Sequence, residues 1–318
     1  MSNNKIFVAL STFAEHDQVP MELLESSGFP YKIHRSGKRI TTDELLRDGV
    51  DATVIVAGVE PYSAEILSKL PQLRCISRCG VGVDSIDLAA AKAREIAVVS
   101  TPNAPIRGVA ELALAMFLAL SRNLRSQAGL MQARRWERVT SHLLGTRTIG
   151  IVGFGRIGKR VAELCIAFGA RVIAHDPAGD DAFARQVGVE LVGFDRLLAE
   201  SDIVSLHASK SAGQPFRIGA AELSVMKRGS IVVNLARGDM VDDLALAIAL
   251  ESGHIVGAGL DVFAEEPYKG PLCDFEQVIL TPHSSTMPVE TRAEMELGCI
   301  SNGIRFLRGE LKPGERVA

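Results

Sequence analysis

The run Gly153-Phe154-Gly155-Arg156-Ile157-Gly158 constrains this chain more than any other stretch. A lone G-x-G-x-x-G occurs by chance in loops. Here a β-rich run, Thr148–Val152, precedes it and an amphipathic helical pattern, Arg156–Phe168, follows it. That setting demands a strand that turns sharply into a helix. The first glycine permits the turn, the second lets backbone approach a pyrophosphate, and the third lets helix pack on strand. The helix start then offers N–H groups and a positive dipole end to the phosphates, so Gly153, Gly155, Arg156, Ile157 and Gly158 are candidate dinucleotide contacts. Asp176 ends the next strand-like run, 23 residues past Gly153. A carboxylate there accepts from both adenosine ribose hydroxyls and repels a 2′-phosphate. No Arg or Lys follows closely, so NAD is expected before NADP.

Around this loop the chain alternates short β-rich runs with longer helical patterns. The second half holds Thr148–Gly155, Arg171–Pro177, Asp202–His207, Ser230–Gly238, Val256–Phe263 and Val278–His283. The first half holds Lys5–Leu10, Ala52–Gly58, Leu73–Gly80 and Ala97–Pro102, with helical stretches at Met21–Gly28 and Ser63–Leu70. Between the halves, one apolar-faced helix is predicted from Gly108 to about Arg125, followed by an Arg-rich segment around Trp136. The pattern predicts an α/β chain of two doubly wound parallel-sheet domains, Rossmann-like and flavodoxin-like, with a cleft between them. The tail after the last β-run is mostly helical and too small to stand alone. The expected division is therefore a discontinuous substrate domain, 1–102 with 287–318, around a nucleotide-binding domain, 103–286.

Charge narrows the partners. Lys and Arg total 35 against 38 Asp and Glu, a net −3, so no global basic field exists to hold nucleic acid or an anionic membrane. The longest apolar stretch, Val109–Leu120, contains Glu111 and is short of the roughly 20 residues a membrane span needs. The N-terminus shows no basic stretch or cleavage site of a secretory signal. The five cysteines show no C-x-x-C or metal spacing and read as reduced thiols, so a cytoplasmic enzyme without a metal is expected.

Three polar residues fall at or just after predicted strand ends, where open α/β sheets place their chemistry: Arg237, Glu266 and His283. An arginine can clamp a carboxylate through two charge-assisted hydrogen bonds. A histidine can give or take a hydroxyl proton near neutral pH, and a neighbouring carboxylate keeps its imidazolium form. Each alone is more often structural than catalytic.

Taken together, the blocks CGVGVDSIDLAAAKA, GVAELALA, GIVGFGRIGKRVAE, SDIVSLH, NLARGDMVDDLALAIALESGHIVGAGLDVFAEEP and LTPH resemble the D-isomer-specific 2-hydroxyacid dehydrogenase family over roughly residues 73–292. The resemblance implies that Arg237 binds a substrate carboxylate, that His283 is the acid/base and that Glu266, not Glu265, is its partner. It implies that the Val81 and Gly82 N–H groups bind the carboxylate from the substrate domain. It places Asp261 near the nicotinamide carboxamide and His207 along the cofactor, with Ala208 and Leu235 as further contacts. It also implies closure about linkers near Pro102 and Pro288, and a homodimer through the segment around Trp136, with Arg135 and Arg138 reaching the partner's site.

The chain departs from the family pattern in three places. After the SLH histidine it reads HASKSAGQPF, where Lys210 could meet a phosphate at the adenosine end. The residues after the catalytic-type histidine are Ser284-Ser285-Thr286. Pro105–Gly108 replaces the usual run before VAEL. Ala57 stands where animal-type phosphoglycerate enzymes carry an arginine, and a chain ending at Ala318 is expected to lack a serine-sensing domain. A glyoxylate- or hydroxypyruvate-type reductase is therefore expected first. D-3-phosphoglycerate dehydrogenase is second, since Arg78 and Arg138 fall where such enzymes have basic residues. An NAD-sensing corepressor-like scaffold is the alternative from another class, and a formate- or phosphite-oxidising enzyme shares the fold.

Overall fold

Short runs dense in Val and Ile form the strands, and the amphipathic stretches between them form the helices. The computed structural model describes residues 4–209 and 216–317, which fall into two units: Met1–Pro105 with Met287–Ala318, and Ile106–Thr286. In the first unit, β1 (Ile6–Val8), β2 (Tyr31–Ile33), β3 (Val54–Ala57), β4 (Cys75–Arg78) and β5 (Ala97–Val99) make a parallel sheet ordered β2-β1-β3-β4-β5, the flavodoxin-like order. Its connections are α1 (Val19–Ser26), α2 (Thr42–Gly49), α3 (Ala64–Ser68) and α4 (Leu88–Ala93). Every residue of β1, β3 and β5 is buried, which explains their unbroken apolar runs. β2 is an edge strand with Tyr31 and Lys32 exposed, so its composition carries no strand signal.

The second unit opens with α5 (Pro105–Ser121, whose first residue closes the first unit) and α6 (Leu124–Gln132). The single helix expected from Gly108 to Arg125 is thus two helices. Asn123 takes a left-handed φ of 50° and breaks the run, which no Gly or Pro announces. The strands follow as β6 (Thr148–Val152), β7 (Arg171–His175), β8 (Glu190–Leu191), β9 (Ile203–Leu206), β10 (Ser230–Asn234), β11 (Ile255–Leu260) and β12 (Val278–Leu280). They are joined by α7 (Arg156–Ala167), α8 (Asp181–Val187), α9 (Phe194–Glu200), α10 (Ala220–Val225) and α11 (Asp243–Glu251). All pairings are parallel, in the order β12-β11-β10-β9-β6-β7-β8. β8, two residues long at the edge, was not among the six predicted runs. Glycines in β11 let α5 lie close: a Cβ on Gly259 would stand 2.9 Å from Met116 Sδ. The last helix, α12 (Val289–Leu307), packs on β3, β4 and α1 of the first unit. Ser77 donates to the Cys299 carbonyl there at 2.7 Å.

The strand order reverses at β6, which lies between β7 and β9. Open α/β sheets bind ligands at such a point, beyond the carboxyl ends of the strands. Gly153 leaves β6 with φ +92°, and a Cβ there would stand 2.5 Å from the Ala208 backbone nitrogen after β9. Gly158 packs so tightly that a Cβ would overlap the Gly153 carbonyl oxygen. Gly153→Ala therefore combines a disfavoured φ with a backbone clash. It is expected to destabilise the fold by about 1–3 kcal/mol. An unchanged urea midpoint would contradict this packing.

Candidate active site

The dinucleotide-type loop is built by main chain. Gly155 caps α7 without a side-chain hydrogen bond, and a Cβ on it would meet nothing within 4 Å. The first-turn N–H groups are thereby left to an anion. Asp176 accepts the Phe154 N–H at 2.8 Å through one oxygen and the Ala178 N–H at 2.8 Å through the other, so its carboxylate is tied to the glycine loop. His207 donates its backbone N–H to the Val152 carbonyl at 2.7 Å, and its Nε2 meets Ser205 Oγ at 2.8 Å. Its Nδ1 is buried and, among the described residues, has no hydrogen-bond partner. Burial pushes the His207 pKa from 6.5 to about 4, so the ring is neutral at physiological pH and unsuited to proton transfer there. Ala208 follows β9 and lies against Gly153, and Leu235 follows β10 and is buried. An uncapped helix start, a backbone-anchored carboxylate and an orphaned ring nitrogen fit a dinucleotide. Lys210 lies outside the described residues.

The three polar residues follow three adjacent strands of the same unit. Asn234, fully buried at the end of β10, accepts the Ala236 N–H at 3.0 Å and donates to the Arg237 carbonyl at 2.9 Å. This pins the turn that presents Arg237, whose Nη1 donates to the Ala236 carbonyl at 2.7 Å. A Cβ on Gly238 would overlap the backbone of Phe263 and Ala264, so the Arg237 turn lies directly on the loop that carries Glu266. Glu266 accepts the Phe263 N–H at 3.1 Å, and the Phe263 ring stacks on Tyr268 with centroids 4.2 Å apart.

His283 follows β12. Its Nδ1 stands 3.2 and 3.1 Å from the two Glu266 oxygens; Glu265 is not the partner. An ionised carboxylate only accepts, so Nδ1 carries the shared proton and Nε2 is left for a ligand. The side chains of His283 and Glu266 are 51% and 40% exposed, and an ion pair that open contributes at most about 1 kcal/mol to stability. Its geometry serves something other than the fold. His283 adopts φ 50°, and its N–H donates to the Asp261 carbonyl at 2.9 Å. The fully buried Asp261 carboxylate accepts from Thr281, Ser284 and Ser285 around it.

Val81 and Gly82 belong to the first unit, in the loop after β4. Gly80 has φ +135°, its N–H donates to Thr101 Oγ1 at 2.8 Å, and Arg78 Nε donates to the Gly82 carbonyl at 3.0 Å. Two contacts thus shape the short main-chain arc that contains both N–H groups. Asn234, Thr101 and Ser205 were not singled out from sequence. The one available signal was for Asn234, since an Asn side chain commonly bonds backbone a few residues on in its own turn.

The His207 shift has a consequence for stability. The ring holds its proton less tightly folded (about 4) than at the ordinary value of 6.5, so the unfolded state binds the extra proton as pH falls through that window. Unfolding free energy is expected to decline from pH 6.5 towards 4, and to decline less in His207→Gln. Parallel pH slopes for the two proteins would contradict the buried neutral ring.

The model of the D-isomer specific 2-hydroxyacid dehydrogenase NAD binding domain matches residues 114–285. A D-3-phosphoglycerate dehydrogenase of Mycobacterium leprae is 41% identical over 285 residues, covering 84% of this chain and 53% of the relative. The chain thus spans about half the length of the phosphoglycerate dehydrogenases it matches. A glyoxylate reductase of Korarchaeum cryptofilum is 39% identical over 80% of this chain and 79% of its own length. The crystal structure of a D-lactate dehydrogenase from Aquifex aeolicus, complexed with NAD and lactic acid, superposes with a TM-score of 0.85 at 29% identity, covering 99% of each chain. The chain belongs to the D-isomer specific 2-hydroxyacid dehydrogenase family.

Proposed function

We propose that the protein is an NAD-dependent oxidoreductase that interconverts a small 2-keto acid and the corresponding D-2-hydroxy acid. The observation that carries this reading is His283 Nδ1 held by the Glu266 carboxylate at 3.1 Å, at the end of a strand in a dinucleotide-type sheet. Bound NADH supplies a hydride to the carbonyl carbon. The Arg237 guanidinium holds the substrate carboxylate. Glu266 holds Nδ1–H of the His283 ring, and Nε2–H of the protonated ring gives its proton to the carbonyl oxygen as negative charge develops there. In the oxidative direction the neutral Nε2 takes that proton back. The loop Gly153–Gly158 would hold the pyrophosphate and Asp176 the adenosine ribose, which favours NAD over NADP. Residues 103–286 are the cofactor domain in this reading, and 1–102 with 287–318 the substrate domain.

Glyoxylate or hydroxypyruvate is the first substrate candidate, supported by the glyoxylate reductase relative. Phosphohydroxypyruvate is the second, supported by the 41% identity to a phosphoglycerate dehydrogenase and by Arg78 beside Gly82. We further propose a homodimer in the cytoplasm. α6 contributes no buried residue, and Leu124, Met131 and Trp136 are 51%, 54% and 80% exposed, an apolar face that a second copy would cover. Among the described residues no helix is long and apolar enough to cross a membrane.

NADH oxidation at 340 nm is expected with at least one of glyoxylate, hydroxypyruvate, pyruvate and phosphohydroxypyruvate, and more weakly with NADPH. His283→Ala is expected to lower turnover on the order of 10²–10⁴-fold with little change in NADH affinity. Undiminished turnover would remove His283 as proton donor, and no turnover by the wild type would favour a scaffold. Light scattering is expected to give twice the chain mass, and Trp136→Asp to shift it towards one. A wild-type monomer would contradict the dimer.

A further inference from the structure

We propose that Asp261 is a positioning residue for His283: its buried carboxylate holds the 281–285 loop in the one shape that aims the imidazole at Glu266. The proposal rests on the dehydrogenase reading above and goes beyond the role of cofactor neighbour that family resemblance implies for this aspartate.

Asp261 is fully buried, and its acceptor capacity goes to one loop. Oδ1 takes the Thr281 hydroxyl at 2.6 Å and the Ser284 N–H at 2.7 Å, while Oδ2 takes the Ser285 N–H at 3.0 Å. The Ser284 hydroxyl adds a long contact at 3.4 Å. A carboxylate offers about four acceptor sites, so these three short bonds leave about one for a ligand. The Asp261 backbone is equally committed: its N–H donates to the Asn234 carbonyl at 3.0 Å, and its carbonyl accepts the His283 N–H at 2.9 Å. The carboxylate is thereby a fixed post on the sheet.

The loop needs such a post. His283 sits at φ 50°, a left-handed conformation that a residue with a Cβ persists in only when its surroundings impose it. The bonds to Asp261 grip the chain on both sides, at Thr281 before the histidine and at Ser284 and Ser285 after it. His283 is the residue suspended between those grips. Its Nδ1 must stay within 3.2 Å of both Glu266 oxygens for Nε2 to face substrate. Losing a grip therefore costs alignment of the proton donor and leaves its identity untouched.

The test compares the full-length wild type with Asp261→Asn, Thr281→Val and Thr281→Ser. Wild-type turnover is measured first, on whichever 2-keto acid it reduces. Asp261→Asn keeps the size but replaces one acceptor oxygen with an NH₂ group. It is expected to lower kcat at saturating NADH by about 10- to 100-fold, less than removal of the histidine itself, with keto-acid KM and NADH Kd little changed. Thr281→Val is expected to fall in the same direction and Thr281→Ser to recover most of that loss. The threonine pair keeps the test decisive if Asp261→Asn does not fold. A raised NADH Kd with wild-type kcat at saturation would make Asp261 a cofactor ligand and overturn the proposal. A lowered melting temperature with unchanged kcat per folded site would make it merely structural and overturn the proposal equally. Absence of wild-type turnover would overturn the dehydrogenase reading itself, whereas an active wild type with unimpaired variants overturns this proposal alone.

Discussion

The ring of His283 has two nitrogens, and the Glu266 carboxylate claims one of them. That single pairing fixes which nitrogen holds the shared proton and leaves Nε2 for proton transfer. An ion pair this exposed returns little stability, so the molecule spends its order elsewhere to keep the two groups together. A left-handed histidine, a fully buried aspartate and a buried asparagine all serve loops that follow adjacent strands.

Close backbone approach is the means by which those loops meet. Gly238 lets the Arg237 turn lie against Phe263 and Ala264, next to Glu266, and Gly153 lets the β6 loop lie against His207 and Ala208. In both places a Cβ would collide with main chain, which cannot swing aside as a side chain can. The carboxylate and the imidazole are thus brought together by the loops after β11 and β12, with the Arg237 turn after β10 lying against the first of these, while the phosphate-type loop grows from β6 at the reversal of strand order.

Much of this was legible from residues because backbone constraints are written in residue identity. A glycine that must admit a neighbour's carbonyl leaves a readable mark, and so do strands buried on both faces. The edge strands β2 and β8 left none, since exposed edges carry polar side chains such as Lys32 and Glu190. The break at Asn123 was equally silent, because a left-handed asparagine looks like any other polar residue on a helix face. Arg237, Glu266 and His283 were named from strand ends and from resemblance to a family. What holds them was not: Asn234 acts on its own turn, and Asp261 reaches residues some twenty positions away, through contacts that only a folded chain reveals.

A double-mutant cycle on kcat/KM, with Glu266→Gln, His283→Ala and the pair combined, measures most directly whether the carboxylate works through the imidazole. If it does, Glu266→Gln costs activity in the presence of the histidine and nothing further in its absence, so the double variant turns over no more slowly than His283→Ala alone. Losses that multiply would mean that the two groups act independently, and the pairing at the centre of this site would have no part in proton transfer.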